Sequence, residues 1–210
     1  MIKLHGLDVS GNTYKAKLLM SLMNIEYEFL AINVANGQHK SDDFLQLNPR
    51  GEFPVLEVDS MVIWDSQAIL VYLARQYETQ SNNPWYPNTA TDMALVTQWL
   101  CVANDDIFNS LGKARSMLKF DTEGDLDLFQ QKGRAMLKWI ERHLSQRNWL
   151  ATNHPSIADI ACYPYVALCE EGNISLQGYP AIHRWFKRIQ SLDGYISMPG
   201  ITSPGITSPE

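Results

Sequence analysis

The chain has 210 residues, of which 45% are hydrophobic and 19% are charged, a composition that is typical of globular proteins and excludes a disordered one. The formal net charge of -6 argues against a nucleic-acid-binding surface. No apolar run approaches the length of a membrane span, and no signal peptide precedes the first predicted strand. We therefore expect a soluble, cytoplasmic protein with no nucleic-acid or membrane partner.

The first 79 residues predict an α/β layer with a small mixed sheet. Short alternating segments indicate strands, and apolar residues at helical spacing indicate the helices between them. The order strand, helix, strand, helix, strand, strand, helix combines a β-α-β start with a β-β-α finish. The predicted elements are strands at residues 2–5, 27–34, 55–58 and 61–64, and helices over residues 16–23, over 43–47 and from Asp65 onward.

The later part of the chain predicts only helices. Apolar stripes at helical spacing run through residues 93–117 and again through 126–143. Ser156 and Asp159 have the spacing of a capping box at the start of a third helix. Pro164 falls inside that helix and should bend it, because proline removes a backbone hydrogen bond and crowds the preceding turn.

The fold class that follows is α/β plus all-α, with two domains. Residues 79–87 form a polar, proline-bearing break, which is typical of a linker. The predicted organisation is an α/β domain at residues 1–79, a linker at 80–88, a helical domain at 89–198 and a low-complexity tail at 199–210. The tail contains Pro-Gly-Ile-Thr-Ser twice, and we assign it no function.

Three cysteines, Cys101, Cys162 and Cys169, lie within apolar helical patterns and lack CxxC spacing. An odd number of cysteines in this setting predicts buried free thiols in a reducing compartment. The histidines show no metal-ligand spacing with aspartate, glutamate or cysteine, so we expect no metal.

The stretch at residues 48–73 carries the clearest sign of a binding site. Pro54 precedes the predicted hairpin, where a residue without an N–H marks the entry to a strand. Asp65 and Ser66 stand at the start of a helix, where unpaired N–H groups and the helix dipole favour a bound carboxylate. The simpler interpretation, that Asp65 or Ser66 only caps the helix, is open from the residues alone.

With these elements placed, the chain resembles the cytosolic glutathione S-transferases, particularly bacterial and plant members with an active-site serine near the N-terminus. The likeness runs from residue 1 to about residue 198. It implies a thioredoxin-like N-terminal domain with a four-stranded mixed sheet, a C-terminal helical bundle domain, a cis bond at Pro54 and a homodimer. The matching stretches are residues 10–15, 37–40, 48–51 with 53–56, 65–69 and 156–159.

The resemblance assigns a glutathione site, with glutathione as co-substrate. Phe53, beside Pro54, would pair its backbone with the cysteinyl part of the peptide, as an added strand does. Asp65 and Ser66 would hold the γ-glutamyl end. The remaining predicted contacts are Asn12 near the first helix, and His39 with Lys40, which suit the glycine carboxylate but would otherwise be a solvated loop pair.

Ser10 is the catalytic residue that the resemblance implies. Its hydroxyl would donate a hydrogen bond to the glutathione sulfur and favour thiolate over thiol. The alternative is that Ser10 simply caps the first helix, and Asn12 and Thr13 compete for the role of thiolate donor. We interpret Tyr14 as a packing residue of that helix.

The function that the resemblance favours is conjugation of the glutathione thiolate to small electrophiles, as in detoxification. Two alternatives are a glutathione-dependent disulfide or peroxide reductase and a non-catalytic binding or assembly module. Reductases on this scaffold often carry cysteine near the first helix, whereas position 10 is serine. The electrophile should meet the helix at residues 93–117, where the possibilities are Trp99, Asn104, Phe108, Leu111 and Arg115. We expect most of these five to be core or dimer contacts instead, so none is assigned to the site.

Overall fold

The computed structural model describes residues 1–80 and 83–201. An α/β half is followed by a helical half, with the elements in the predicted order. The strands are β1 Ile2–Gly6, β2 Glu28–Ala31, β3 Val55–Val58 and β4 Met61–Trp64; the helices are α1 Gly11–Leu22, α2 Asp42–Leu47, α3 Ser66–Gln76, α4 Ala90–Val102, α5 Lys113–Phe120, α6 Leu126–Leu144, α7 Ile157–Ala167 and α8 Pro180–Gln190.

The sheet is mixed and has the strand order β2-β1-β3-β4, which confirms the predicted fold class. Strand β1 pairs in parallel with β2 and antiparallel with β3, where Leu4 lies opposite Leu56. Both leucines are fully buried, because alternate residues of a strand point to one face and that face meets the helices. The predicted second strand was too long at both ends, since regular pairing is confined to Glu28–Ala31.

Side-chain caps fix the helix starts. The Ser10 side chain accepts a hydrogen bond from the Thr13 N–H at the start of α1. Asp65 does the same for α3, with its backbone held at φ 80°, in a region that non-glycine residues seldom occupy. The two caps therefore fix the first turns of α1 and α3, where backbone N–H groups have no partner within the helix.

The helix predicted over residues 93–117 is not one regular α-helix. The chain is π-helical over Ala103–Gly112, between α4 and α5. The Ser110 hydroxyl donates to the Asp106 carbonyl at 2.5 Å, so a side chain satisfies a backbone group in the widened turn. Such π-helical turns are often found at functional sites, and this one carries residues that line the cavity described below.

One hydrophobic core connects the two halves. Helix α1 packs on α3 and on α7, and buried side chains of the α/β half such as Leu18 meet those of the helical half such as Trp185. The connecting segment is anchored too, because the Ile157 N–H donates to the Trp85 carbonyl at 2.8 Å. The core therefore holds the two halves in one arrangement.

The structure also tests the predictions made for the cysteines and for Tyr14. Cys162 and Cys169 are buried free thiols, as predicted, but Cys101 is exposed, so the prediction of three buried thiols was wrong for it. Tyr14 is buried, and its hydroxyl donates to the Ile196 carbonyl at 2.6 Å, which confirms its packing role. Helix α7 continues through Pro164.

The predicted linker and tail fall only partly on described residues. Residues 81–82 and 202–210, which include most of the repeated tail motif, lie outside them. Within the described ranges, no helix is both long enough and apolar enough to cross a membrane.

Candidate functional site

A cavity of about 720 Å³ lies between the α/β half and the helical half. Side chains from the loop before α1, from the hairpin and from the helical half meet there. The eight residues that the sequence singled out all line it: Ser10, Asn12, His39, Lys40, Phe53, Pro54, Asp65 and Ser66. Their roles remain predictions, but the chain does bring them to one site.

Ser10 lies at the N-terminus of α1. Its oxygen accepts a hydrogen bond from the Thr13 N–H at 3.3 Å, as the capping alternative required. A hydroxyl has two lone pairs and one proton, so the cap leaves the Ser10 proton available to a group in the cavity. Thr13 is fully buried and does not line the cavity, which disfavours Thr13 as the thiolate donor; its hydroxyl accepts from the Leu7 N–H at 3.3 Å.

The hairpin side of the cavity offers backbone and small polar groups. The Phe53–Pro54 peptide bond is cis. No hydrogen bond among the described residues engages the backbone N–H or C=O of Phe53, so both are available to an extended peptide.

The start of α3 supplies an acidic cap and a buried hydroxyl. The Asp65 Oδ1 atom accepts from the Gln67 N–H at 2.8 Å and from the Ala68 N–H at 3.2 Å. Ser66 is buried, and its hydroxyl forms a short hydrogen bond to the Gln67 side-chain carbonyl. The Gln67 Nε2 group is buried and has no partner among the described residues, which is costly unless a ligand satisfies it.

The basic pair, His39 and Lys40, also lines the cavity. The Lys40 ammonium group donates to the carbonyl oxygens of Arg50 and Gly51, both at 3.1 Å. The His39 and Phe53 rings pack edge-on, with their ring centres 6.3 Å apart. The His39 Nδ1 atom is buried and has no partner in the described part of the chain, so it too is open to a ligand.

The helical wall confirms part of what the sequence suggested. Asn104, Phe108 and Arg115 line the cavity. Trp99 and Leu111 do not line it and belong to the buried core, which was the alternative for the residues of this set. The sequence reasoning missed other lining residues: Leu7, Val34, Asn48, Arg50, Gly51, Glu52, Trp64, Asn109, Ser116, Phe120 and Tyr165.

Arg115 ties the helical wall to the loop that carries Ser10. Its guanidinium group donates through Nη2 to the Val9 carbonyl at 2.9 Å and pairs with the Glu171 carboxylate. Burial alone would raise the pKa of Glu171, but hydrogen bonds from Lys119 and Arg115 outweigh it and lower that pKa. A buried arginine thus holds the backbone directly before the capping serine.

Among residues 1–80 and 83–201, no group of three or more histidine, cysteine, aspartate or glutamate side chains could hold a metal ion. The expectation of no metal stays a prediction.

The fold and the site define a two-domain protein with a mixed-sheet domain and an all-helical domain around one cavity. Family models for the glutathione S-transferase N-terminal and C-terminal domains match residues 2–75 and 103–188. The chain belongs to the glutathione S-transferase family, and it is a transferase.

Individual proteins of known sequence or structure are similar to this chain over most of its length. The chain is 31% identical to glutathione S-transferase D7 of Anopheles gambiae over 174 residues, covering 81% of this chain and 78% of that protein. The crystal structure of a glutathione S-transferase from Pseudomonas fluorescens is 30% identical, with a TM-score of 0.87 and coverage of 94% of this chain and 98% of that one. Ure2p in complex with glutathione, at 20% identity, TM-score 0.83 and coverage of 92% of this chain and 90% of that one, shares the fold.

Proposed function

We propose that the protein binds glutathione in the cavity and conjugates its thiolate to small electrophiles, with Ser10 as the thiolate donor. The observation that carries this proposal is the position of Ser10, at the N-terminus of α1 and on the wall of a cavity that also contains the predicted peptide contacts. The thiolate carbon–sulfur bond would form as a halide leaves, or as a double bond opens and takes up a proton.

One hydroxyl and one helix N-terminus are enough to lower the pKa of the bound thiol by the expected amount. A thiol whose pKa falls from about 8.5 to about 6.5 requires ~2.7 kcal/mol of differential stabilisation. One hydrogen bond to a charged group supplies roughly 1.5–3 kcal/mol, and a helix N-terminus adds about 0.3–1 kcal/mol. Ser10 and α1 together therefore account for most of the required shift.

The rest of glutathione would lie across the hairpin and the start of α3. The free backbone groups of Phe53 pair with the cysteinyl part, and Asp65 and Ser66 hold the γ-glutamyl amine and carboxylate. The unpartnered His39 Nδ1 atom and the Lys40 charge suit the glycine carboxylate. Asn12 lines the same cavity and is the remaining proposed contact to glutathione.

The proposal extends to assembly and location. Strand β4 is an edge strand with exposed Met61 and Val62 side chains, each 39% exposed, and a homodimer would cover apolar groups of this kind. We propose that the protein is a homodimer in the cytoplasm, where reduced glutathione is available. Sedimentation that shows only a monomer would remove the dimer.

The test replaces the donor and a matched serine. Ser10→Ala should raise the pKa of the bound glutathione thiol by about one to two units and slow conjugation of an aryl halide about 10- to 100-fold near neutral pH. Ser41 caps α2 and does not line the cavity, so Ser41→Ala controls for loss of a cap and should leave both quantities unchanged.

Each outcome is informative. Equal rates and equal thiol pKa values in Ser10→Ala and wild type would refute the assignment of Ser10. Glutathione binding without any thiolate absorbance would favour the non-catalytic module, and turnover of disulfides or peroxides without conjugation would favour the reductase.

A further inference from the structure

Across the cavity from the hairpin, the N-terminus of α1 meets a tyrosine of the helical half. We propose that the Tyr165 hydroxyl is a second hydrogen-bond donor to the glutathione thiolate, acting together with Ser10. This inference rests on the proposed function of the site, because it requires a thiolate at the start of α1.

Tyr165 belongs to α7 and lies at the right place. The residue is 6% exposed, and its small exposed part lies on the cavity wall. The hydroxyl-bearing end of its ring packs against Gly11, the first residue of α1: a Cβ atom at Gly11 would be 2.9 Å from the Tyr165 Cζ atom. The phenol oxygen therefore lies beside the helix turn that begins after Ser10.

The proton of the Tyr165 hydroxyl is uncommitted. The Asn12 backbone N–H interacts with the phenol oxygen from the α1 side, which uses an acceptor position. No acceptor for its O–H group is found among the described residues. By contrast, the buried Tyr14 hydroxyl donates to Ile196, and the Tyr163 hydroxyl pairs with Tyr195 at 2.9 Å.

The charges around Tyr165 favour donation to an anion. The Lys15 ammonium group is fully buried and lies 5.4 Å from the centre of the Tyr165 ring. The Arg115 guanidinium group is a second buried cation near the phenol. Burial raises the pKa of Tyr165 to about 12, against opposing effects of Arg115 and of the Asn12 N–H. The phenol therefore keeps its proton at neutral pH, while both cations strengthen it as a donor.

The close packing on Gly11 explains how the Tyr165 ring comes so near to the start of α1. Any side chain at position 11 would collide with the Tyr165 ring, so the absence of a Cβ lets α7 approach the active-site turn. The Phe108 ring of the π-helical segment contacts Tyr165 edge-on at 5.4 Å and restricts it from the other side. Packing and the Asn12 N–H hold the ring in place, and the hydroxyl proton is left for the ligand.

The test compares two tyrosines of one helix. Tyr165→Phe removes the hydroxyl and keeps the ring. Tyr163→Phe is the matched control, because Tyr163 is fully buried two residues earlier, does not line the cavity, and pairs with Tyr195 and Gln190. The quantity measured is the pKa of bound glutathione, from the pH dependence of thiolate absorbance.

We expect Tyr165→Phe to raise the pKa of the bound thiol by about one to two units, as loss of one hydrogen bond to a charged group predicts. Tyr163→Phe should leave it unchanged. The double variant Ser10→Ala with Tyr165→Phe should raise it further than either single change. Binding of S-methylglutathione, which has no thiol to ionise, should be the same in Tyr165→Phe and wild type.

Three results would overturn the inference. The first is an unchanged thiol pKa in Tyr165→Phe, even if the rate falls, which would place the hydroxyl on the electrophile. The second is an equal loss of affinity for glutathione and S-methylglutathione, which would mark a packing role. The third is a wild-type protein that gives no thiolate signal with glutathione, which would refute the proposed function as well. If instead the thiol pKa shifts in Ser10→Ala but not in Tyr165→Phe, the proposed function stands and only the role of Tyr165 is refuted.

Discussion

Replacing Asp159 by alanine should destabilise the protein strongly, because this buried carboxylate joins three parts of the helical half. Its Oδ1 atom accepts from the Leu150 N–H at 3.0 Å and from the Trp185 indole at 2.9 Å, and its Oδ2 atom accepts from the Ser156 N–H at 3.0 Å. Asp159 thus fixes the start of α7, the helix that carries Tyr165.

The magnitude follows from the groups left behind. Loss of a helix cap costs about 0.5–2 kcal/mol, and each buried donor left unpaired costs about 1–3 kcal/mol. Burial opposes this, because it raises the pKa of Asp159 to about 6, which corresponds to a penalty of roughly 3 kcal/mol for the ionised form at neutral pH. We expect a net loss of about 2–4 kcal/mol, or a midpoint lower by roughly 4–16 °C for a chain of this length.

Urea unfolding followed by circular dichroism at pH 7 measures the loss. Asp125→Ala is the control, since Asp125 caps α6 by accepting from the Leu128 N–H at 3.0 Å, in an exposed position. It should cost only about 0.5–1 kcal/mol. Equal losses for the two alanine variants would refute the reasoning, because they would mean that the Leu150 and Trp185 donors gain nothing from Asp159.

Three other variants or assays check separate features. Lys40→Met should raise the KM for glutathione about 3- to 30-fold and leave kcat nearly unchanged, and steady-state kinetics that show a fall in kcat alone would contradict a binding role. In the folded protein a thiol reagent should modify Cys101 rapidly, and Cys162 and Cys169 only after unfolding, because only Cys101 is exposed. Lys15→Met should stabilise the protein by about 1–3 kcal/mol at pH 7. Burial lowers the pKa of Lys15 to about 8, so the native state binds fewer protons between pH 8 and 10.5, and the wild type should regain the difference as the pH rises through that window. A difference that stays constant across it in urea unfolding would contradict the lowered pKa.

The sheet and the helix caps were predictable because their causes are local. Alternation predicted β1, and Ser156 with Asp159 predicted a capping box that the structure contains. The π-helical segment Ala103–Gly112 was not predictable, because the apolar stripe of a regular helix continues through it. The hydrogen bond from the Ser110 hydroxyl to the Asp106 carbonyl has no distinctive signature in the sequence. Cys101 was misplaced for a similar reason: an apolar neighbourhood in sequence does not say which side of the helix faces the core.

The hairpin side of the cavity was predictable from short motifs, whereas the helical wall was predictable only in part, at Asn104, Phe108 and Arg115. Phe53 and Asp65 lie within one stretch of the chain, so their proximity follows from a hairpin and a helix start. Tyr165 reaches the same cavity only because α7 packs on α1 across Gly11. Nothing near Tyr165 in the sequence distinguishes it from the buried Tyr163, since both sit in an apolar helix.

Capping and catalysis at Ser10 were posed as alternatives by the sequence, and the structure makes them compatible. The cap uses a lone pair of the Ser10 oxygen, which accepts from the Thr13 N–H, whereas thiolate stabilisation needs the hydroxyl proton. Because the Ser10 oxygen accepts from Thr13 through a lone pair, its proton is free to rotate toward an acceptor in the cavity. Thr13 is buried beneath this turn and Tyr165 packs on it from the other half, so the serine that caps α1 is also the group that we propose to meet a sulfur atom in the cavity.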